Sequence, residues 1–130
     1  MKPYVSTILS RKVHRRSFRR QVLMGCQVVR ERDFRLVSSV AFDLSTDGAL
    51  VLTGERVLTG EPLIVSFRAP KTNAWFDLEA TVARVVHGRR DGDRGRCLGL
   101  TFHSLAESDR YRLFDGIRGL PPALSAFERD

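Results

Sequence analysis

The chain has 130 residues, which is enough for one domain with a single hydrophobic core. Hydrophobic residues make up 42% and charged residues 28%, a balance typical of a globular protein rather than a disordered or membrane-spanning one. The net charge is +7, and residues 1–20 account for all of it, because they hold seven basic side chains and no acidic one. We therefore expect a basic arm (residues 1–21), a neutral body (residues 22–120) and a short tail (residues 121–130). Such an arm suits an anionic partner.

The body shows the period-two alternation of β-strands. Six strands are predicted, at residues 22–29, 34–44, 49–53, 62–68, 75–87 and 96–103. The segments between them are rich in Gly, Asp and Ser, which favour turns. Short strands at regular spacing are typical of a small antiparallel barrel or sandwich. The predicted fold class is mainly β: a six-stranded antiparallel, split β-barrel with a basic N-terminal arm and one C-terminal α-helix.

The C-terminal helix is predicted from its ends and its apolar face. Ser104 and Glu107 have the spacing of a capping box, which indicates that the helix begins there. Gly119 and the two prolines after it end the helix. The apolar face is interrupted by Arg110 and consists of Ala106, Leu113, Phe114 and Ile117. We expect this helix to plug one end of the barrel or to pack on its side, and a role in homodimer formation stays open as an alternative.

The sequence carries none of the usual signatures of an enzyme. His14, His87 and His103 are far apart and have no partner at metal-ligand spacing, so no metal site is predicted. There is no P-loop, GxGxxG or nucleophile elbow, so no catalytic residue is assigned. Cys26 and Cys97 form no CxxC pair, and residues 1–20 contain no apolar signal region. We expect a cytoplasmic protein with no membrane span that is not an enzyme.

Two short motifs carry the functional hypothesis. RRSFR at residues 15–19 precedes the first strand, and DLSTDG at residues 43–48 joins the second strand to the third. In this order and separation they resemble the RxxxR and [D/N]xSxxG motifs of the PilZ domain, the cyclic di-GMP receptor family. The resemblance extends over residues 11–120 and includes GLTF at residues 99–102, followed by the capped helix. The candidate ligand-binding residues are Arg15, Arg16, Arg19, Asp43, Ser45 and Gly48.

The resemblance implies that the chain binds cyclic di-GMP as its ligand and needs no other cofactor. Arginine forks match the O6 and N7 acceptors of guanine and the phosphate oxygens. Asp43 is a matched acceptor for the N1–H and N2–H donors on the opposite guanine edge. Ser45 would add a polar contact or hold the turn. Gly48 would allow a positive φ and keep a side chain away from the ligand.

The motif can be placed in two registers, either Arg15 with Arg19 or Arg16 with Arg20. We favour the first, because Phe18 then precedes the second arginine, as an aromatic residue often does in this family. The ligand could bind as one copy or as an intercalated pair, and the sequence leaves both open. The turn should be preformed between two strands, whereas the arm should become ordered on ligand binding.

The predicted function is that of a stand-alone bacterial receptor or adaptor that signals to an unidentified output protein. The family implies control of motility, pili, exopolysaccharide or development. Two alternatives stay open: a basic-armed β-barrel that binds nucleic acid, and a PilZ-like adaptor that binds only protein. Nucleic acid is the less favoured partner, because the body is neutral and holds few Trp and Tyr residues for base stacking.

Overall fold

Six antiparallel strands form a closed barrel in residues 18–88 and 95–123, the parts of the chain that the computed structural model describes. The strands are β1 (Arg20–Arg30), β2 (Leu36–Leu44), β3 (Gly48–Leu52), β4 (Pro62–Arg68), β5 (Trp75–Val86) and β6 (Cys97–His103), and the helix is α1 (Glu107–Ile117). The order around the barrel is β1-β2-β3-β6-β5-β4, and pairing of β1 with β4 closes it. The predicted six-stranded antiparallel barrel with one C-terminal helix is confirmed.

The core fills the inside of the barrel with the apolar side of each strand. Val51 and Leu98, on the neighbouring strands β3 and β6, are completely buried. Phe67 stacks on Phe76 with ring centroids 5.4 Å apart and on Phe102 at 6.4 Å. Because alternate side chains of a strand point to opposite faces, the period-two pattern of the sequence becomes an apolar interior and a polar exterior.

Helix α1 packs against the turn between β4 and β5. Leu113 and Ile117 are buried in the same cluster as the barrel core. The carbonyl oxygen of Gly116 accepts a hydrogen bond from the backbone amide of Lys71 at 2.9 Å. A Cβ atom on Gly116 would overlap the Cβ of Ala69, so a glycine is required for this close approach. The helix is therefore fixed to the barrel at its C-terminal half.

The predicted capping box at the start of α1 is wrong. The N-cap is Ala106, and no side chain caps the helix. β6 continues to His103, and the backbone of Ser104 is left-handed, with a φ of 55°, where the chain leaves the strand. This turn moves Ser104 out of the N-cap position, so Glu107 begins the helix instead of completing a capping pair. Glu107 and Asp109 still place negative charge in the first turn, where the helix dipole favours it.

Strand β1 begins two residues earlier than predicted, because residues 120–123, here called the C-terminal segment, pair with its start. The backbone amide of Gln21 donates to the carbonyl oxygen of Pro121 at 2.8 Å. The amide of Ala123 donates to the carbonyl oxygen of Arg19, also at 2.8 Å. The end of the predicted arm is therefore held by backbone hydrogen bonds from a distant part of the chain.

Cys26 of β1 should react slowly with alkylating reagents. Burial raises the pKa of its thiol to about 11, against a smaller lowering by a hydrogen bond with Ser38. Since the thiolate is the nucleophile and roughly one thiol in a thousand is ionised near pH 8 at such a pKa, we expect alkylation by iodoacetamide to be at least about tenfold slower than for free cysteine. The rate should rise with pH up to the pKa.

Intact-mass measurements over a pH series would follow this reaction. A Cys26→Ser variant reports Cys97 alone and serves as the control. A rate equal to that of free cysteine near pH 8 would contradict the burial of the Cys26 thiol.

Candidate ligand-binding site

An ion pair joins the end of the first motif to the start of the second. Arg19 lies one residue before β1, and pairing of β1 with β2 places Gln21 opposite Asp43. Nη2 of Arg19 donates to Oδ2 of Asp43 at 2.6 Å, and Nε donates to Oδ1 at 3.3 Å. The Asp43 side chain is only 4% exposed, whereas that of Arg19 is 44% exposed. The arginine thus binds a buried carboxylate and still presents part of its guanidinium to solvent.

Ser45 holds the turn between β2 and β3. Its hydroxyl accepts hydrogen bonds from the backbone amides of Asp47 at 3.0 Å and Gly48 at 3.2 Å. Its own amide donates to the carbonyl oxygen of Gly48 at 2.9 Å. Ser45 is buried, and its hydroxyl bonds backbone amides of its own turn. Serine favours such local hydrogen bonds to the backbone. Of the two roles expected for Ser45, these contacts serve the second, which is to hold the turn.

Gly48 is needed for strand packing, and the positive φ expected for it from the sequence is wrong. Its φ lies outside the left-handed region, so the turn does not require a positive φ there. A Cβ atom on Gly48 would instead overlap the backbone carbonyl of Leu100 on the neighbouring strand β6. Gly48 pairs with Thr101 in that strand pair. The glycine therefore allows β3 to start against β6 directly after the turn.

The arginines of the first motif are described only in part. Arg15 and Arg16 lie outside the residues that the structure describes. Arg20 is directed away from Asp43: its Nη1 donates to the carbonyl oxygen of Leu120 at 2.9 Å, and its guanidinium lies 4.4 Å from the centre of the Phe18 ring. The structure thus brings Arg19 to the turn and directs Arg20 to the C-terminal segment.

Arg110 of α1 contacts the turn from the outside, which the sequence analysis did not foresee. Its Nη1 donates to Oδ1 of Asp47 at 2.9 Å and to Oγ1 of Thr46 at 3.3 Å, and it lies 3.5 Å from the Thr46 carbonyl oxygen. The side chains of Arg110 and Asp47 are 25% and 31% exposed. The one signal in the sequence was that Arg110 interrupts the apolar face of the helix, since a charge at such a position needs a partner.

The described residues contain neither a candidate metal-binding cluster nor a candidate membrane-spanning helix. Within 18–88 and 95–123 there is no group of three or more His, Cys, Asp or Glu side chains that could hold a metal ion. In the same residues, no helix is long and apolar enough to cross a membrane. The polar groups of this site are two ion pairs, Arg19–Asp43 and Arg110–Asp47, and the turn that the Ser45 hydroxyl holds. They suit recognition of a charged, hydrogen-bonding ligand.

Comparison with protein families identifies the family of this chain. A sequence profile of the PilZ domain matches residues 14–119, a span that contains both motifs, the whole barrel and α1. The chain belongs to the PilZ family. The resemblance inferred from RRSFR and DLSTDG is confirmed. In this PilZ domain, Arg19 of the first motif and the whole second motif lie within the described residues.

Solved PilZ structures share the fold. The PilZ domain with c-di-GMP of YcgR from Escherichia coli aligns with a TM-score of 0.64 at 18% identity, over 81% of this chain and 89% of that chain. The inhibitor of motility MotI/DgrA of Bacillus subtilis aligns at 0.62 and 20%, over 77% of this chain and 47% of its own. The PilZ domain of CeSA from a cellulose-synthesizing bacterium aligns at 0.58 and 17%, over 79% of this chain and 97% of its own. A search of curated protein sequences found no match.

Proposed function

We propose that this PilZ domain is a receptor for cyclic di-GMP, which it binds between the arginine motif and the turn at residues 43–48. The observation that carries the proposal is the contact between Arg19 and Asp43. These residues are 24 positions apart in sequence, yet the barrel brings their side chains within 2.6 Å of each other. A fork of donors and a buried acceptor thus lie side by side, next to a turn that is already formed.

Arg19 supplies the donors. Cyclic di-GMP carries two phosphates, and each of its guanines presents the O6 and N7 acceptors on one edge. A guanidinium has five N–H donors in a planar fork, so it can keep one partner while it contacts another. Because the Arg19 side chain is 44% exposed, part of this fork is open to a ligand. Arg15 and Arg16 would add positive charge for the phosphates.

Asp43 supplies the acceptor. A carboxylate has about four lone-pair positions for hydrogen bonds. Arg19 occupies one of them at each oxygen of Asp43. The remaining positions can accept the N1–H and N2–H donors of a guanine. Because Asp43 lies within β2 and is 3% exposed, its position is fixed before a ligand arrives. A preformed acceptor lowers the entropic cost of binding.

The contacts of Arg20 favour the register that uses Arg15 and Arg19. Arg20 is engaged by the Leu120 carbonyl oxygen and the Phe18 ring, whereas Arg19 is at the turn. In the alternative register Arg20 would have to leave both contacts. We therefore assign Arg15, with Arg19, Asp43 and the Ser45–Gly48 turn, to the ligand, and Arg16 to additional charge neutralisation.

The proposed receptor binds its ligand without turnover and signals through a partner protein or through self-association. Among the processes that the family implies, the motility inhibitor among the structural relatives favours control of motility. We place the protein in the cytoplasm, because a chain with only two cysteines and no CxxC pair suits the reducing conditions there.

Isothermal calorimetry tests the proposal. We expect the full chain to bind cyclic di-GMP and to bind GMP or cyclic AMP far more weakly, because a mononucleotide cannot fill both halves of the site. Chromatography of the bound nucleotide should recover it intact. A random single-stranded oligonucleotide is the control for binding by charge alone.

Three results would overturn the proposal. They are hydrolysis of the dinucleotide, absence of binding heat at high micromolar concentration, and equal affinity for the oligonucleotide. The last result would favour the nucleic-acid alternative, and absence of binding would favour an adaptor that binds only protein.

A further inference from the structure

Helix α1 is tied to the turn of the proposed site by one side chain. We propose that Arg110 is a positioning residue for cyclic di-GMP binding, acting through Asp47 of the turn and not by contact with the ligand. The proposal rests on the function proposed above. It concerns a residue outside both sequence motifs.

Arg110 is well placed to hold the turn. Its Nη1 bonds Asp47 and Thr46, the two residues between Ser45 and Gly48. On the other side of the turn, the carbonyl oxygen of Asp47 accepts the amide of Phe102 at 2.8 Å. Asp47 is therefore fixed by its side chain to α1 and by its backbone to the end of β6.

The helix gives Arg110 a fixed base. Leu113, three residues further on, is completely buried, and Gly116 lies against Ala69. A movement of the helix backbone at Arg110 would require these contacts to shift. Arg110 thus links the turn at the surface to a helix that is packed against the barrel core.

The ion pair also cancels a charge that would oppose the ligand. Asp47 lies in the turn directly after β2, four residues from Asp43, and cyclic di-GMP carries two negative phosphates. Without Arg110, the Asp47 carboxylate would stand without its positive partner close to the bound anion. Its interaction with Arg110, at 2.9 Å between two partly buried side chains, offsets this repulsion.

A double-mutant cycle separates positioning from direct contact. We expect Arg110→Ala to weaken cyclic di-GMP binding by about tenfold, an effect of the size found for coupled ion pairs. Asp47→Asn should have a smaller effect, because it removes the repelling charge together with the pair. The double variant Arg110→Ala/Asp47→Asn should bind more tightly than Arg110→Ala alone, because the uncompensated carboxylate is gone.

Arg118→Ala is the matched control, since it removes the same charge from the end of α1. Arg118 pairs with Asp115 at the surface, and its side chain is 65% exposed. Its loss should leave the affinity within about twofold, as expected for a surface ion pair. If Arg110→Ala weakens binding equally with and without Asp47→Asn, Arg110 contacts the ligand and the proposal is wrong.

Amide hydrogen exchange of the ligand-free protein provides a readout that does not depend on ligand binding. In Arg110→Ala, the amides of Asp47 and Gly48, which donate to Ser45, should exchange faster, while those of β6 stay unchanged. Unchanged exchange in the turn would overturn the positioning role. Failure of the unmodified chain to bind cyclic di-GMP would instead overturn the proposed function, with the exchange result still deciding whether Arg110 holds the turn.

Discussion

Replacing Gly48 with alanine should destabilise the fold by about 3 kcal/mol, at the upper end of the cost of overpacking. The added Cβ would overlap the backbone carbonyl of Leu100, and neither atom can move by rotating a side chain. Relief requires β3 to move away from β6, which breaks part of the pairing from Gly48↔Thr101 onward. Urea or guanidinium denaturation, followed by the circular dichroism of the strands, would measure the change in free energy of unfolding.

Gly25→Ala is the matched control for this variant. Gly25 also lies in a strand, β1, but a Cβ atom there would have no heavy atom within 4 Å. We expect a change of no more than about 0.5 kcal/mol, as for other exposed positions. Equal stabilities of the Gly48 and Gly25 variants would show that β6 yields at Leu100 and would contradict the packing role of Gly48.

Replacing Arg19 with alanine should have the largest effect on ligand binding. We expect a loss of about 1–3 kcal/mol in binding free energy, the worth of a good bidentate arginine–guanine contact, which is about 5- to 150-fold in Kd. The variant should also lose about 1 kcal/mol of stability, because the buried carboxylate of Asp43 loses its donor. The loss of stability is small because Arg19 is nearly half exposed and solvent screens the pair.

Calorimetry and denaturation of the same preparations separate the two effects of Arg19→Ala. Adding Asp43→Asn to it should recover part of the stability, since a neutral amide costs less to leave buried than a carboxylate. Arg20→Ala tests the register and should weaken binding much less than Arg19→Ala. Arg118→Ala tests nonspecific charge and should leave the affinity nearly unchanged. Equal losses from all three arginine variants would indicate binding by overall charge.

The barrel could be predicted from the sequence because the alternation of a strand is a local property. Each residue faces either the core or the solvent, so the apolar pattern records burial before any partner strand is known. β4 begins and ends at the predicted residues, 62 and 68. Turn-forming glycine and proline residues on both sides separate it from its neighbours. The short elements with such boundaries were therefore predictable individually.

Two of the boundaries that differ from the prediction, the starts of β1 and α1, depend on contacts between distant residues. β1 begins at Arg20 because the C-terminal segment pairs with it, about 100 residues further along the chain. The capping box at Ser104 fits a helix considered alone, but the end of β6 sets the backbone there to a left-handed φ. In both cases the local sequence pattern favours one boundary, and tertiary contacts set another.

The sequence by itself determined the family, since RRSFR and DLSTDG carry the two motifs by which the chain resembles PilZ domains. It could not determine how they are used. Only the closed barrel pairs Arg19 with Asp43 and directs Arg20 to the carbonyl oxygen of Leu120. The same fold packs Gly48 against β6 and brings Arg110 into contact with Asp47, 63 residues away. The physical reason is that the alternation of apolar and polar residues along a strand depends only on which side chains of that strand face the core. The pairing of charges instead follows from strand register and helix docking, which exist only in the folded chain.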